Sequence, residues 1–267
     1  MNNGLIIEKN FKSAFNGKSF DELNDFQKKF ILELFPNIND NDYIICSKYI
    51  KEFGKPDITI SLNNEKKYIS IKSGSSDGMH IEDIKTFILF LRSLGVSVQT
   101  QKILLLYHYG DGTLDGTGEK RMLHNEIAYK YKEHIEFANK ELSNSKIVLA
   151  CLNRFVLQGT NEYMQTIDYI YYGDENYGVF CSKNELANYI ISRDYSHLKT
   201  LHIGPMTIQP YLRDVNNESH NKYKRHKVQI KWHYLLTDIE KTNSLRKITE
   251  IKLKDNPFFN YFNRKIW

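Results

Sequence analysis

Residues Lys55 to Lys72, KPDITISLNNEKKYISIK, constrain the fold more than any other stretch, because two runs of period-two hydrophobicity meet at an Asn63-Asn64 turn signal. Ile58, Ile60 and Leu62 alternate with Asp57, Thr59 and Ser61; beyond the turn, Ile69 and Ile71 alternate with Tyr68, Ser70 and Lys72. A two-residue turn, which Asn favours because it tolerates positive φ, sets Asp57 opposite Ser70 and Ile58 opposite Ile69. A loop with an odd number of residues would put Asp57 against Ile69 or Ile71 and bury a carboxylate among isoleucines, so matching of the faces selects the even loop. Directly opposed Cβ atoms lie roughly 5 Å apart and diagonal ones about 7 to 8 Å, which clusters Asp57, Ser70 and Lys72 on the polar face. A carboxylate and an ammonium held at the rim of a sheet can bind a divalent cation and position a water.

The 267 residues, 41% of them hydrophobic, suffice for one large core or two small domains. No apolar run is long enough to span a membrane, and MNNGLIIEKNFKS lacks the hydrophobic segment of a signal peptide, so a cytoplasmic location is expected. Cys46, Cys151 and Cys181 are widely spaced and form no CxxC pair, which argues for buried thiols and against a disulfide framework or a cysteine-zinc site. A net charge of +5, from 37 basic and 32 acidic residues, leans toward a polyanionic partner without the excess of a histone-like protein.

Upstream of the hairpin, SFDELNDFQKKFILELF (residues 19–35) reads as a helix with Ser19 as N-cap, Glu22 as its capping-box partner, and Leu23, Phe26, Phe30, Ile31 and Leu34 on one stripe. Glu22 and Glu33 fall on one flank of that stripe; capping accounts for Glu22 and a solvated edge for Glu33, while either could look along the edge of whatever the helix packs on, with Glu22 as a possible additional acid. DYIICSKYI (42–50) is β-rich and gives a third strand. After the loop SGSSDG, a helix is expected over about 79–94 with Ile81, Ile84, Phe87, Ile88 and Leu91 inward, then a doubly covered strand in KILLLYHY (102–109).

The order αβββαβ, with Pro56-Asp57 on the second strand and Ser70-Ile71-Lys72 on the third, resembles the PD-(D/E)XK nuclease superfamily, the restriction-endonuclease-like fold. The resemblance covers roughly residues 19–109. It implies an α/β fold with a mixed central sheet, Asp57 as a magnesium ligand, and Lys72 as the residue that orients or activates the attacking water. Ser70 stands where the second acid of the motif belongs, and a hydroxyl is a poor substitute for a carboxylate on a hard cation. Some restriction enzymes of this superfamily carry such a serine and draw the carboxylate from the next helix. Here that helix is expected to open with Asp77, Glu82 and Asp83, of which Glu82 is the chosen ligand. Acids in a first helical turn are equally explained by the macrodipole.

The second half is less legible. GDGTLDGTG (110–118) lacks both the GK[ST] ending of a P-loop and the spaced acids of an EF-hand, and reads as a connecting loop. A helix to about Leu142, a buried strand in KIVLACLNRFVL (146–157), aromatic alternating segments in 167–183 and a short helix in ELANYIISRDYSHL follow. Lys222, Lys224, Arg225 and Lys227 then form a basic run interleaved with Tyr223 and His226. It feeds a strand in which Val228, Ile230 and Trp232 alternate with Gln229 and Lys231. In a nuclease such a run could grip phosphates and bring Gln229 or Lys231 to base edges. The aromatic tail DNPFFNYFNRKIW (255–267) is expected to pack back on the core or to join a dimer contact.

The resemblance therefore implies a catalytic core in residues 1–110, with recognition and dimerisation elements in 111–267, acting as a magnesium-dependent endonuclease on double-stranded DNA. For a stand-alone chain of this size the implied role is a type II restriction enzyme working as a homodimer. Two other classes fit the residues. One is a noncatalytic nucleic-acid-binding or interaction protein on a degenerate nuclease fold, favoured by Ser70. The other is a nuclease of repair, recombination or phage defence acting on branched or RNA substrates.

Overall fold

The computed structural model describes residues 3–49, 54–74, 77–118, 120–161, 163–212 and 222–243; the tail expectation for 255–267 lies outside the described residues. The chain forms two compact units, one drawn from residues 1–75, 165–189 and 235–267, the other from 76–164 and 190–234.

The first unit is built on a five-stranded mixed sheet. Its strands are β1 (Ile44–Lys48), β2 (Ile58–Leu62), β3 (Glu65–Lys72), β5 (Tyr169–Gly173) and β6 (Gly178–Ser182), in the order β1-β2-β3-β5-β6. The hairpin takes the register that face-matching selects: Ile58 pairs Ile69 and Leu62 pairs Glu65 around a two-residue turn in which Asn63 adopts a φ of 52°. Its apolar face, with Ile58, Ile60 and Ile69 all fully buried, packs against α1 (Asn3–Phe15) and α2 (Asp25–Leu34) in a core that includes Phe11, Phe15, Phe30, Ile31 and Leu34. Burial of each such side chain contributes about 1.5–3 kcal/mol, so a one-residue slip of register, which would turn every isoleucine to the other face, is strongly disfavoured. Tyr171 and Phe180 bring β5 and β6 into the same core, Tyr171 meeting Phe11 edge-on at a ring separation of 4.8 Å. β3 and β5 run parallel, with Lys72 beside Tyr172. The strand that completes the αβββαβ order is therefore β5, not the expected 102–109.

Local chemistry explains the departures. The single helix expected over 19–35 is broken into a 3-10 turn (Phe20–Glu22) and α2, because Asn24 and Gln27 form a second capping box: Asn24 Oδ1 accepts from Gln27 N at 2.9 Å and Gln27 Oε1 accepts from Asn24 N at 3.1 Å.

The second unit holds β4 (Gly78–Asp83), α3 (Ile84–Ser93), α4 (Val98–Tyr109), α5 (His124–Lys130), α6 (Lys132–Leu142), α7 (Ser145–Leu152), β7 (His202–Ile203), β8 (Met206–Pro210) and β9 (Lys227–Lys231). Its four-stranded sheet has the order β4-β9-β8-β7. The expected helix from 79 starts only at Ile84, where Asp83 caps it by accepting from Lys85 N at 2.9 Å; residues 78–83 instead form β4 and pair with β9. KILLLYHY is the body of α4, not a strand: Ser97 caps its start and Gly110, at a φ of 62°, ends it in the left-handed conformation. KIVLACLNRFVL is likewise helical, as α7 capped by Asn144 and continued by a π turn over Asn153–Leu157. A continuous apolar run carries no period, and the caps decide its state. The helix expected to reach Leu142 divides at Tyr131 into α5 and α6. Cys46, Cys151 and Cys181 are free and buried.

Candidate active site

Asp57 sits at the entry to β2, where its N–H donates to Ile69 O at 2.8 Å. This fixes the carboxylate against the last turn of pleat in β3, and Asp57, Ser70 and Lys72 come together as the register requires. Asp57 Oδ2 accepts from Ile71 N at 2.6 Å and from Ser70 Oγ at 3.1 Å. Lys72 Nζ donates to Ser70 Oγ at 2.9 Å and lies 4.0 Å from Asp57 Oδ2. The ammonium is thus joined to the carboxylate through the serine hydroxyl, which gives its proton to Asp57 and accepts from Lys72. Ser70, at the middle of the link, is 1% exposed. On the neighbouring strand Tyr172 donates its hydroxyl to Gly74 O, tying the chain just beyond Lys72 to β5.

Burial pushes the Asp57 carboxyl above its ordinary value, while Lys72, the Ile71 N–H and Ser70 oppose the rise; the charge of Glu8 adds to it. Glu8 lies on α1. It is paired with Lys48 at 2.8 Å and its side chain is 19% exposed. Only the packing of α1 brings its charge to bear on Asp57, across 49 positions of sequence, and no local signal marks it.

The hydrogen-bond partners of Asp57 gather on Oδ2, and Oδ1 has none of them. Magnesium keeps several waters and is commonly held by one or two carboxylates together with substrate phosphates, which fits a single half-buried aspartate beside a lysine. Among the described residues no group of three or more His, Cys, Asp or Glu side chains forms a preassembled metal cage.

The other expected acids have partners of their own. Glu22 accepts from Ser19 N at 2.7 Å and from Ser19 Oγ, which holds its carboxyl below the ordinary range. Glu82, expected on a helix, lies on β4 opposite Val228, on the buried face of the second sheet. Arg154 clasps it from the π turn, with Nε–Oε1 at 3.2 Å and Nη2–Oε2 at 2.6 Å, and His80 lies 3.7 Å away. Burial raises the Glu82 carboxyl, but the nearby His80, the Arg154 hydrogen bonds and the Arg154 charge outweigh it and leave it below its ordinary value. Asp77 is bound by Lys231 at 3.1 Å and His233 at 2.5 Å. Asp83 is the cap of α3.

The basic run is a 3-10 turn, Lys222–His226, leading into β9. The Lys222 side chain lies outside the described residues. Lys224 stacks over the exposed ring of Tyr223, and Lys227, Gln229 and Lys231 alternate along β9 with the buried Val228 and Ile230. Arg225 is buried: it pairs with Asp111 at 2.7 Å and donates to Gly118 O, clamping the 110–118 loop, while its own carbonyl bonds His108 Nε2 at 2.9 Å.

No family model matches the chain, and no curated protein matches it. Among solved structures it resembles the crystal structure of restriction endonuclease MspI in complex with its cognate DNA. The TM-score is 0.54 at 14% sequence identity, over 85% of this chain and 88% of that one. The fold is that of a restriction endonuclease. In this fold the hairpin that carries Asp57, Ser70 and Lys72 occupies the centre of the mixed sheet. No described helix is long and apolar enough to cross a membrane.

Proposed function

We propose that this chain is a metal-dependent endonuclease that hydrolyses phosphodiester bonds of double-stranded DNA, with Asp57, Ser70 and Lys72 at its active centre and type II restriction as its role. The observation that carries the reading is the Lys72–Ser70–Asp57 chain of hydrogen bonds, built on adjacent central strands of a restriction-endonuclease fold. The neighbouring structure is a complex with cognate DNA, which supports DNA as the substrate.

Each residue has a chemical task. Asp57 would hold a magnesium ion, and burial raises its carboxyl above the ordinary aspartate value. A magnesium ion bound there supplies the charge neutralisation and the water activation that phosphodiester hydrolysis needs. Lys72, tethered by Ser70, donates to the attacking water or to a phosphate oxygen and keeps it in place. Ser70 contributes a fixed link and no charge, so the second carboxylate comes from elsewhere. Glu8, in the same compact unit as Asp57 and paired with the exposed Lys48, is one candidate. Glu82 is held by Arg154 within its own unit. Lys224, Lys227 and Lys231 are proposed as phosphate contacts. Cutting both strands with one centre per chain calls for two chains, hence a homodimer.

The test is incubation of the pure protein with plasmid, single-stranded DNA and RNA, with magnesium and with EDTA. Discrete magnesium-dependent fragments of the plasmid support the reading. Inertness on every substrate contradicts it and favours a noncatalytic binding protein, the class that Ser70 suggests; cutting confined to RNA or single strands assigns another nuclease role.

A further inference from the structure

The second sheet has one face that its own core leaves open. Val228 and Ile230 of β9, and Ile208 of β8, are buried on one side. On the other side the register aligns three strands: Gln209 of β8 stands opposite Gln229 of β9, and Ile81 of β4 stands opposite the same Gln229 from the other edge. Gln209 Nε2 donates to Gln229 Oε1 at 3.4 Å, which orients the Gln229 amide along the strands. Gly78 makes room for it, since a Cβ at that position would come within 3.2 Å of Gln229 Nε2. Ile81 is 44% exposed on this polar face, an aliphatic side chain beside an amide. Thr207, Gln209, Gln229, Lys231 and His233 line a groove of about 560 Å³.

An amide with a neighbouring methyl-bearing side chain is the complement of an A·T pair seen from the major groove. A glutamine donates to adenine N7 and accepts from N6, and an apolar side chain packs on the thymine C5-methyl. We propose that Gln229 and Ile81 together read one A·T pair of duplex DNA, with Gln209 as the residue that positions the Gln229 amide. Gln229 Nε2 donates to N7 while the second lone pair of Oε1 accepts from the adenine amino group; the first lone pair stays with Gln209. The inference rests on the proposed function only in taking duplex DNA as the partner.

The test uses the full chain carrying Lys72→Ala, so that duplexes are bound without the expected cutting, in a selection from a randomised duplex pool. The parent should enrich a motif containing an invariant A·T pair. Gln229→Ala should lower the preference for that pair by roughly 5- to 150-fold, the discrimination a bidentate base contact gives, and Gln209→Ala by less. Two base analogues read the contacts atom by atom. 7-Deazaadenine at the selected position should weaken binding by the parent and leave Gln229→Ala unaffected, and uracil in place of thymine should do the same for the parent and Ile81→Ala. An unchanged motif in Gln229→Ala, indifference to 7-deazaadenine, or no enrichment by the parent overturns the assignment. Enrichment and analogue effects in a chain that cuts no DNA with magnesium would leave the assignment standing and overturn the nuclease reading instead.

Discussion

Replacing Arg154 by alanine strands the Glu82 carboxylate on the buried face of β4, with the His80 ring 3.7 Å away as the remaining polar neighbour described there. Both side chains of the pair are largely buried, 14% exposed for Arg154 and 7% for Glu82, and two charge-assisted hydrogen bonds join them. Removing one partner of a buried pair costs about 3–5 kcal/mol, whereas a surface pair is worth about 0–1 kcal/mol. Arg154 also lies over the Phe90 ring at 4.5 Å, which adds to the upper end. The expected result for Arg154→Ala is a urea midpoint lowered by the equivalent of about 3–5 kcal/mol at unchanged slope, followed by far-UV circular dichroism. Glu82→Leu/Arg154→Met, which fills the space with apolar atoms, should recover most of the loss, so the cycle is strongly non-additive. A loss below about 1 kcal/mol for Arg154→Ala, or strict additivity of the two substitutions, would refute the claim that Glu82 is held for structure. The pH dependence follows the same logic. Glu82 titrates below its ordinary value in the folded chain, so its contribution is present above the unfolded value of 4.5 and is lost as pH falls through the lower folded value.

Two further outcomes concern the active centre. Glu8→Gln should raise the magnesium concentration needed for half-maximal cutting by about tenfold or more, as losing a supporting metal carboxylate does in other sites, while Glu82→Gln leaves that requirement unchanged; the reverse pattern, read in magnesium titrations of plasmid cleavage, would return the second carboxylate to Glu82. Burial raises the Asp57 carboxyl in the folded chain, so the protonated form is favoured by folding and the ionised form carries a stability penalty above that raised value. Asp57→Asn should therefore unfold at higher urea than the parent near neutral pH, and cleavage by the parent should fall as pH drops through a value above the ordinary 3.8 of aspartate. A less stable Asp57→Asn, measured by urea melts, would contradict the burial argument.

The hairpin was legible because alternation and an Asn-Asn turn admit one register, and that register brings Asp57, Ser70 and Lys72 together. Two expected strands changed type for one physical reason. Residues 102–109 and 146–157 are apolar on all sides, a pattern that a buried strand and a buried helix share, and Ser97 and Asn144 as caps carried the deciding signal. The helical spacing of Ile81 with Ile84 and Ile88 was coincidental, because Asp83 caps a helix that begins one residue later and Ile81 belongs to a strand. Long-range partners were out of reach: nothing local links Glu82 to Arg154, Arg225 to Asp111 or Glu8 to the charge of Asp57, and these pairings decide which charged side chains are engaged.

The central claim is tested most directly by magnesium-dependent cleavage of supercoiled plasmid by the parent chain, Asp57→Asn and Lys72→Ala, each first shown to be folded. The account predicts discrete fragments from the parent, none with EDTA, and loss of cutting by at least about a hundredfold in both variants, the scale on which positioned acid–base and charge-stabilising groups contribute. Fragments of the same pattern and rate from folded Asp57→Asn or Lys72→Ala would contradict it.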